Sequence, residues 1–360
     1  MDVNTILNLI FLVFAVLGGI DYLLDNRFGL GAEFERGIKC AGPLVLCMVG
    51  FMTLAPWLGK VLSPIAGPFL TSIGADPSLI AGLLLAVDSG GYVMASEMAG
   101  SEGAAILNGV FVGAMFGSAI MGNIPLSITV IRPEKRKIVL FGLAIGIAVM
   151  PFGCAAGGFL AGVDVNTIIG NMVPLTVLAA LIVLAMIFAS KVLEAALRIF
   201  GKITVAICVT GLIICVAGDL CHIEILPERM AFTEIMLVIG KICLCLAGVF
   251  PFLGVLLKIF EKPIERLAAK TGIGSLDIKC LIMNLVNSFS SIDRLNEMTD
   301  TGILLNCAFG VVAGYTLGDH FAYITSALPH LTVSFILGKL ITGIMAVIAV
   351  LLLRKFIIGR

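Results

Sequence analysis

The chain has 360 residues, of which 60% are hydrophobic and only 13% are charged, and its formal net charge is zero. Soluble domains contain about 25% charged residues, so this composition excludes an ordinary soluble domain. It predicts an all-α, polytopic helical membrane protein embedded in a lipid bilayer. A net charge of zero gives no general attraction to nucleic acid, and no nucleic-acid partner is expected.

Several apolar runs, separated by polar links, come close to the ~20 residues that cross a hydrocarbon core. They lie near residues 3–24, 38–59, 104–131, 138–160, 172–190, 203–220, 234–257, 302–327 and 333–353. Two further apolar segments, near 76–98 and 276–298, are interrupted by polar residues. The polar link 191–202 is predicted either as an amphipathic helix at the membrane interface or as a polar extension of a helix.

The basic links predict how the chain is threaded through the membrane, because Lys and Arg accumulate on the cytoplasmic side. These links are 25–39, 132–137, 191–202 and 258–270. One assignment places all of them inside, provided that segment 76–98 begins and ends outside and segment 276–298 begins and ends inside. We therefore predict that both interrupted segments are re-entrant hairpins. The alternative, in which both segments cross the membrane fully, fits the charges less well.

An internal repeat with an offset near 200 residues indicates two related halves. At that offset Thr71, Ile73, Gly74, Leu85, Glu97 and Met98 meet Thr271, Ile273, Gly274, Leu285, Glu297 and Met298. One copy starts outside and the other inside, so the repeats 1–162 and 202–360 are predicted to be inverted. A linking helix and an amphipathic connector in 163–201 would join them. Inverted repeats whose interrupted helices meet near the midplane are a recurrent plan of secondary transporters.

The first interrupted segment contains Asp88-Ser89-Gly90-Gly91 within an apolar run. A carboxylate at the bilayer centre costs about 2.5–3.5 kcal/mol on insertion scales and usually marks a substrate or ion path. Broken backbone at that depth is tolerated only inside protein or beside a water-filled cavity. We interpret the stretch as the tip of a hairpin that lines a transport site. The alternative is a helix end near the membrane surface, with Asp88 in water.

Other polar residues interrupt apolar stretches in both halves of the chain. They are Asn287 and Ser288 at the tip of the second interrupted segment, Asn123 in a predicted helix break at 122–125, and Asp319 and His320 in a predicted break at 318–320. Two carboxylates with amides and hydroxyls nearby suit a small cation that carries its own polar group. A tyrosine, Tyr92, Tyr315 or Tyr323, is expected either to offer its ring face to an ammonium group or simply to pack. Asp319 beside His320 has a second interpretation, as a proton relay.

The polar groups at these interruptions make up the predicted binding site. The candidate substrate-binding residues are Asp88, Ser89, Gly90, Gly91, Tyr92, Asn123, Asn287, Ser288, Asp319 and His320. No catalytic residue, metal site or cofactor is predicted, because the three histidines have no metal-ligand spacing and the sequence has no nucleophile–base motif.

Three motifs resemble those of the ethanolamine-utilisation transporter family, and the resemblance covers most of the chain. They are Gly-Ala-Asp-Pro-Ser at 74–78, Leu-Ala-Val-Asp-Ser-Gly-Gly-Tyr at 85–92 and Gly-Asp-His-Phe-Ala-Tyr at 318–323. The family's motif positions present here are Asp88, Gly90, Gly91, Tyr92, Gly318, Asp319 and His320. The resemblance implies a bacterial inner-membrane permease that brings ethanolamine to a cytosolic ammonia-lyase pathway.

The predicted function is import of ethanolamine, a small protonated amino alcohol, by alternating access. Its ammonium group would be held near the midplane by Asp88 or Asp319. The alternatives are a transporter of another small cation or a nucleoside-like solute, an integral membrane enzyme, and a receptor-like sensor. The sequence has no catalytic motif and no output domain, which argues against the last two. The coupling ion (Na⁺, H⁺ or none) and a homo-oligomeric state stay open.

Overall fold

The computed structural model describes residues 3–359, and this part of the chain is built from helices without a strand. The α-helices are α1 (Val3–Leu23), α2 (Leu30–Lys39), α3 (Ala41–Leu44), α4 (Gly50–Ser72), α5 (Leu79–Leu84), α6 (Tyr92–Met98), α7 (Glu102–Ala105), α8 (Ile124–Val130), α9 (Arg136–Leu160), α10 (Val165–Phe188), α11 (Ser190–Asp219), α12 (Phe232–Ile259), α13 (Glu261–Thr271), α14 (Ser275–Asn284), α15 (Ser288–Ile292), α16 (Asp300–Ala313), α17 (Asp319–Ala327) and α18 (Thr332–Ile358). Wider π-helical stretches are Val45–Val49, Ile106–Gly117 and Ala119–Asn123, whereas Val87–Gly91 is a kink with non-helical angles at Ser89 and Gly90. Residues 1, 2 and 360, at the outer ends of the two predicted repeats, lie outside the described part.

Within residues 3–359, 8 helical runs are long and apolar enough to cross a membrane. The predicted class, a polytopic helical membrane protein, is therefore confirmed. The run predicted at 38–59 is the middle of one longer helical run, Leu30–Ser72. The run predicted at 302–327 is two helices, because the backbone turns at Tyr315, whose φ is +61°. The link 191–202 lies within α11, in agreement with the polar extension of a helix.

The run Glu102–Val130 lies at the centre of the bundle. In its most apolar stretch 89% of the residues are buried, against 11% for α1. A helix that is apolar on every side is normally buried in a core, and the sequence Ile-Leu-Asn-Gly-Val-Phe-Val-Gly-Ala-Met-Phe-Gly at 106–117 fits that position. A methyl group on Gly117 would lie only 2.2 Å from Leu85 O. This glycine therefore allows the first interrupted segment to pack directly on the most buried helix.

Each interrupted segment folds back on itself, and an aspartate joins its two ends. Asp76, before α5, accepts on Oδ2 a hydrogen bond of 2.9 Å from the backbone N–H of Gly100, after α6. Asp277, in α14, accepts on Oδ2 a hydrogen bond of 2.5 Å from Thr299 Oγ1, just before α16. Its Oδ1 also accepts from Thr299 N at 3.3 Å. Entry and exit of each segment therefore lie at one end of the bundle.

The basic links lie together at one end of the bundle, where the second interrupted segment starts and finishes. The contacts that join them are Lys258 Nζ with Phe28 O (2.7 Å), Arg136 with Glu194, Lys135 Nζ with Met298 O (2.8 Å) and Lys279 Nζ with Glu261 Oε1 (2.9 Å). The first interrupted segment starts at the other end, where Asp76 N donates to Asn171 Oδ1 (3.0 Å) beside a link without Lys or Arg. This arrangement agrees with the charge pattern.

Replacing Asp277 by Asn should destabilise the second interrupted segment. Asp277 is 1% exposed, and hydrogen bonds to a charged group contribute about 1.5–3 kcal/mol each. We expect the free energy of unfolding to fall by an amount of that order, which thermal unfolding in detergent micelles would detect as a lower midpoint. The exposed Asp293, in the same segment, offers a matched Asp→Asn control that should leave the midpoint unchanged. Equal midpoints for both variants would contradict the role given to Asp277.

Candidate substrate-binding site

The turn of the first interrupted segment presents Asp88 inside the protein. Leu85 has an extended backbone (φ −125°, ψ 142°), which ends α5. Gly90 has a φ of +89°, a conformation that glycine adopts without the strain other residues would suffer. The chain returns to a helix at Tyr92. Asp88 is only 5% exposed, which disagrees with the alternative of a helix end in bulk water.

The break between α16 and α17 presents the second carboxylate. Tyr315 donates its backbone N–H to Asn284 O (2.9 Å), so the break is fastened to the second interrupted segment. α17 then begins at Asp319, whose Oδ1 accepts from the backbone N–H of His320 (2.9 Å). An acidic residue in the first turn is favoured by the exposed N–H groups of a helix N-terminus. The predicted break at 318–320 is therefore present.

Asp88, Asp319 and His320 form one cluster. A carboxylate oxygen from each aspartate and a ring nitrogen of the histidine lie within 4.8 Å of one another. His320 Nε2 is 3.6 Å from Asp88 Oδ1. The two halves of the chain thus each contribute one carboxylate to the same place. Such a pair is stable away from water only when cations or hydrogen-bond donors compensate it.

A lysine that was not predicted supplies part of that compensation. Lys339, in α18, is 1% exposed, and its Nζ lies 3.0 Å from Ala114 O and 3.3 Å from His320 Nδ1. A lysine ammonium group has only donors, so His320 Nδ1 is assigned as an acceptor and the ring proton lies on Nε2, toward Asp88. The sequence held a usable signal, since a single ionisable residue inside an apolar span is by default a functional candidate.

The same cluster could be considered for a metal ion, because two carboxylates and an imidazole are donors that divalent metals accept. Lys339 Nζ, at 3.3 Å, already occupies His320 Nδ1, so the ring can offer only Nε2 to another ligand. The two carboxylates are also suited to an organic ammonium group, whose N–H groups can donate to both of them.

The cluster faces a cavity of about 510 Å³ whose wall comes from both halves of the chain. The polar side chains in this wall are Asp88, Ser89, Ser118, Thr204, Asn287, Tyr315, Asp319 and His320. Asn287 Oδ1 accepts from Phe289 N (2.9 Å) and so caps α15, while its Nδ2 has no acceptor among residues 3–359. That amide N–H is free to donate to a ligand. Ser118 and Thr204 were not predicted, since single hydroxyls in apolar helices carry no pattern.

Most of the predicted residues lie in or directly behind this wall. Those in the wall are Asp88, Ser89, Asn287, Asp319 and His320. Asn123 lies one layer behind, where its Oδ1 accepts from Tyr315 OH (3.1 Å) and its Nδ2 donates to Gly310 O (2.9 Å). Ser288 Oγ donates to the same carbonyl oxygen at 3.4 Å. Asn123 and Ser288 therefore support the wall without facing the cavity.

The remaining three predicted residues are not in the cavity wall. Gly90 and Gly91 shape the turn through their backbone. Tyr92 lies against Gly109, where a methyl group would be 2.8 Å from Tyr92 Cα. The tyrosine that lines the cavity is Tyr315, because the backbone turn before α17 directs it there.

The helix break predicted at 122–125 is wrong. Asn123 has helical angles (φ −61°, ψ −43°) and ends a π-helical turn that continues into α8. The sequence Gly-Asn-Ile-Pro resembles a break because proline has no N–H to donate. A wider turn before Pro125 accommodates the missing hydrogen bond, as π-helical turns do inside longer helices.

Comparison with known proteins places the chain in one family. The family model described as "Ethanolamine utilisation protein, EutH" matches residues 3–353. A protein of Listeria monocytogenes named probable ethanolamine permease EutH is 37% identical over 347 residues, which covers 96% of this chain and 93% of the relative. A protein of Salmonella typhimurium with the same name is 32% identical, covering 99% of this chain and 97% of the relative.

A third relative, the uncharacterized protein YxeR of Bacillus subtilis, is 34% identical over 349 residues, covering 97% of this chain and 94% of the relative. No solved structure matches the chain. The matches run the length of both partners, so they include both interrupted segments and the helices that carry the buried cluster. The chain belongs to the EutH family of ethanolamine utilisation proteins.

Proposed function

We propose that this protein is a permease of the bacterial cytoplasmic membrane that imports ethanolamine. The observation that carries the proposal is the meeting of Asp88 and Asp319, one from each half of the chain, at a cavity between the halves. Relatives along the whole chain are named probable ethanolamine permeases. Ethanolamine is a primary amine and, like a lysine side chain with its pKa near ~10.4, is cationic at neutral pH.

The ammonium group would lie between the two carboxylates, where it replaces its lost hydration by charge-assisted hydrogen bonds. The hydroxyl group needs one donor and one acceptor. Asn287 Nδ2 supplies a free donor, and Ser89 Oγ, which lies 3.5 Å from Asp88 Oδ1, supplies a hydroxyl that can accept. The apolar part of the wall, with Phe51 and Phe250 among its members, suits the two methylene groups.

Transport would use two inverted repeats with re-entrant hairpins at their centres. Each half contains, in order, two long helical runs, an interrupted segment, an interrupted or π-helical run and a long helix. Helix α10 connects the halves. An aspartate closes the base of each interrupted segment, Asp76 in one and Asp277 in the other. Each segment is then a unit that can move as a whole, which is how inverted-repeat transporters alternate access around a fixed site.

The cavity supports a state open toward the cytoplasm. Its wall reaches Cys40 and Thr204, which lie just after the basic links that end at Lys39 and Lys202. Because basic links favour the cytoplasmic side, the carboxylates would be reached from that side. On the other side, the packing of the first interrupted segment on the run Glu102–Val130 would close the path.

Asp88→Asn should raise the KM for ethanolamine at least about thirtyfold. Removing one partner of a buried, hydrogen-bonded charge pair costs about 2–5 kcal/mol of binding, and each 1.4 kcal/mol is tenfold. Uptake of labelled ethanolamine into proteoliposomes would measure the change, with the exposed Asp293→Asn as control. Near-normal uptake by Asp88→Asn would remove this carboxylate from the site. Imposed Na⁺ and H⁺ gradients in the same assay would identify a coupling ion.

The re-entrant path of segment 276–298 can be tested by labelling. In a background without native cysteines, Lys279→Cys and Glu297→Cys place thiols near its two ends, which Asp277 and Thr299 bring together. We expect an impermeant maleimide to label both positions from the cytoplasmic side and neither from the outside. Labelling of the two positions from opposite sides would show a full crossing and refute the hairpin.

A further inference from the structure

We propose that Lys339 determines how many positive charges the site accepts. Its positive charge reduces the net negative charge of the cluster from two to one. With Lys339 in place the site would take a substrate with a single ammonium group and reject one with two. This inference rests on the proposed function, because it concerns the same carboxylates. It makes Lys339 a positioning and specificity-determining residue, since it acts through the cluster and is not part of the cavity wall.

The contacts of Lys339 suit an ammonium group, and we assign it as one. Its Nζ lies 3.0 Å from Ala114 O and 3.3 Å from His320 Nδ1, and 5.5 Å from the centre of the Phe335 ring. A carbonyl oxygen, an unprotonated ring nitrogen and an aromatic face all attract a cation. No donor competes with it in these contacts. The other buried basic side chain among residues 3–359 is His320 itself.

Lys339 is fixed behind the cluster. The imidazole ring of His320 stands between Lys339 Nζ and the cavity, with Nδ1 toward the lysine and Nε2 at 3.6 Å from Asp88 Oδ1. At 1% exposure the lysine has no route to solvent. Its charge therefore stays in place whether or not the cavity holds a ligand, and it differs in this from a substrate ammonium group, which enters and leaves.

We take both carboxyl groups and the lysine as ionised and His320 as neutral. The two aspartates then contribute two negative charges and Lys339 contributes one positive charge. One negative charge remains, and one ammonium group neutralises it. A second ammonium group on the ligand would be buried without a partner, which is strongly unfavourable.

Size alone does not provide this selection. A cavity of about 510 Å³ lies in the range of pockets that hold drug-sized molecules, and ethanolamine has only four heavy atoms. A short diamine such as 1,3-diaminopropane would fit the volume. The selection against it must come from charge, and Lys339 is the group that sets the charge.

The first test measures how well 1,3-diaminopropane and unlabelled ethanolamine inhibit uptake of labelled ethanolamine, and how much each raises the thermal unfolding midpoint in detergent. With the wild-type protein, ethanolamine should inhibit uptake and the diamine should not. Lys339→Met, which leaves two uncompensated carboxylates, should bind the diamine at least about tenfold more tightly than wild type, so that the preference for ethanolamine over the diamine falls. Lys241→Met, at an exposed lysine in α12, is the matched control and should behave as wild type.

A second pair of variants keeps the test decisive if Lys339→Met fails to fold. In the Asp319→Asn variant the cluster has a net charge of zero, and this variant should lose most ethanolamine binding. Adding Lys339→Met to Asp319→Asn returns the net charge to one negative, so ethanolamine binding should recover at least about tenfold. A purely structural lysine would give a further loss in the double variant, which would overturn the inference. If wild type itself neither binds nor transports ethanolamine, the proposed function fails instead.

Discussion

The placement of two carboxylates at one cavity inside an apolar bundle is the constraint on which the rest of this structure depends. Hydrocarbon cannot hold such a pair, so the protein must surround it with backbone N–H groups, a histidine and a lysine. The turn at Asp88 and the break before Asp319 each bring a backbone interruption to the cluster. The polar residues that seemed out of place in the sequence are therefore the ones that organise its centre.

The interrupted segments solve a second difficulty, which is how to end a helix inside an apolar bundle. Unpaired backbone groups there must find partners in protein. Tyr315 N and Leu317 N do so by donating to Asn284 O and Leu285 O (2.9 and 2.7 Å), so the break between α16 and α17 is completed by the turn of the second interrupted segment. Two backbone hydrogen bonds therefore hold the two breaks together.

The sequence predicted the part of the fold that depends on hydropathy, because apolar length identified most of the spans. The return of both interrupted segments to the side they came from, inferred from the basic links, stays a prediction. Asp88 and Asp319 were identifiable because a carboxylate in an apolar run is costly wherever it lies. These signals need no knowledge of how the helices pack.

Contacts between distant parts of the chain were not predictable. Lys339 is a lone ionisable residue in the apolar run 333–353, but its contact with His320 could not be predicted from the sequence. Tyr92 looked suitable because it follows Asp88 closely, yet the turn directs it to Gly109. The backbone turn at Tyr315 determines which tyrosine faces the cavity, and sequence periodicity does not predict that turn.

The π-helical winding of Ile106–Gly117 has a consequence for how side chains downstream are directed. A π-helical turn closes an i→i+5 hydrogen bond and so holds more residues than an α-helical turn. A helical wheel drawn with the usual period rotates progressively out of phase along this run and misassigns the faces of the residues after it. Asn123 follows this run and accepts from Tyr315 OH across the boundary between the halves. A single deletion in the run, though silent in composition and hydropathy, would rewind it and turn that amide away from its partner.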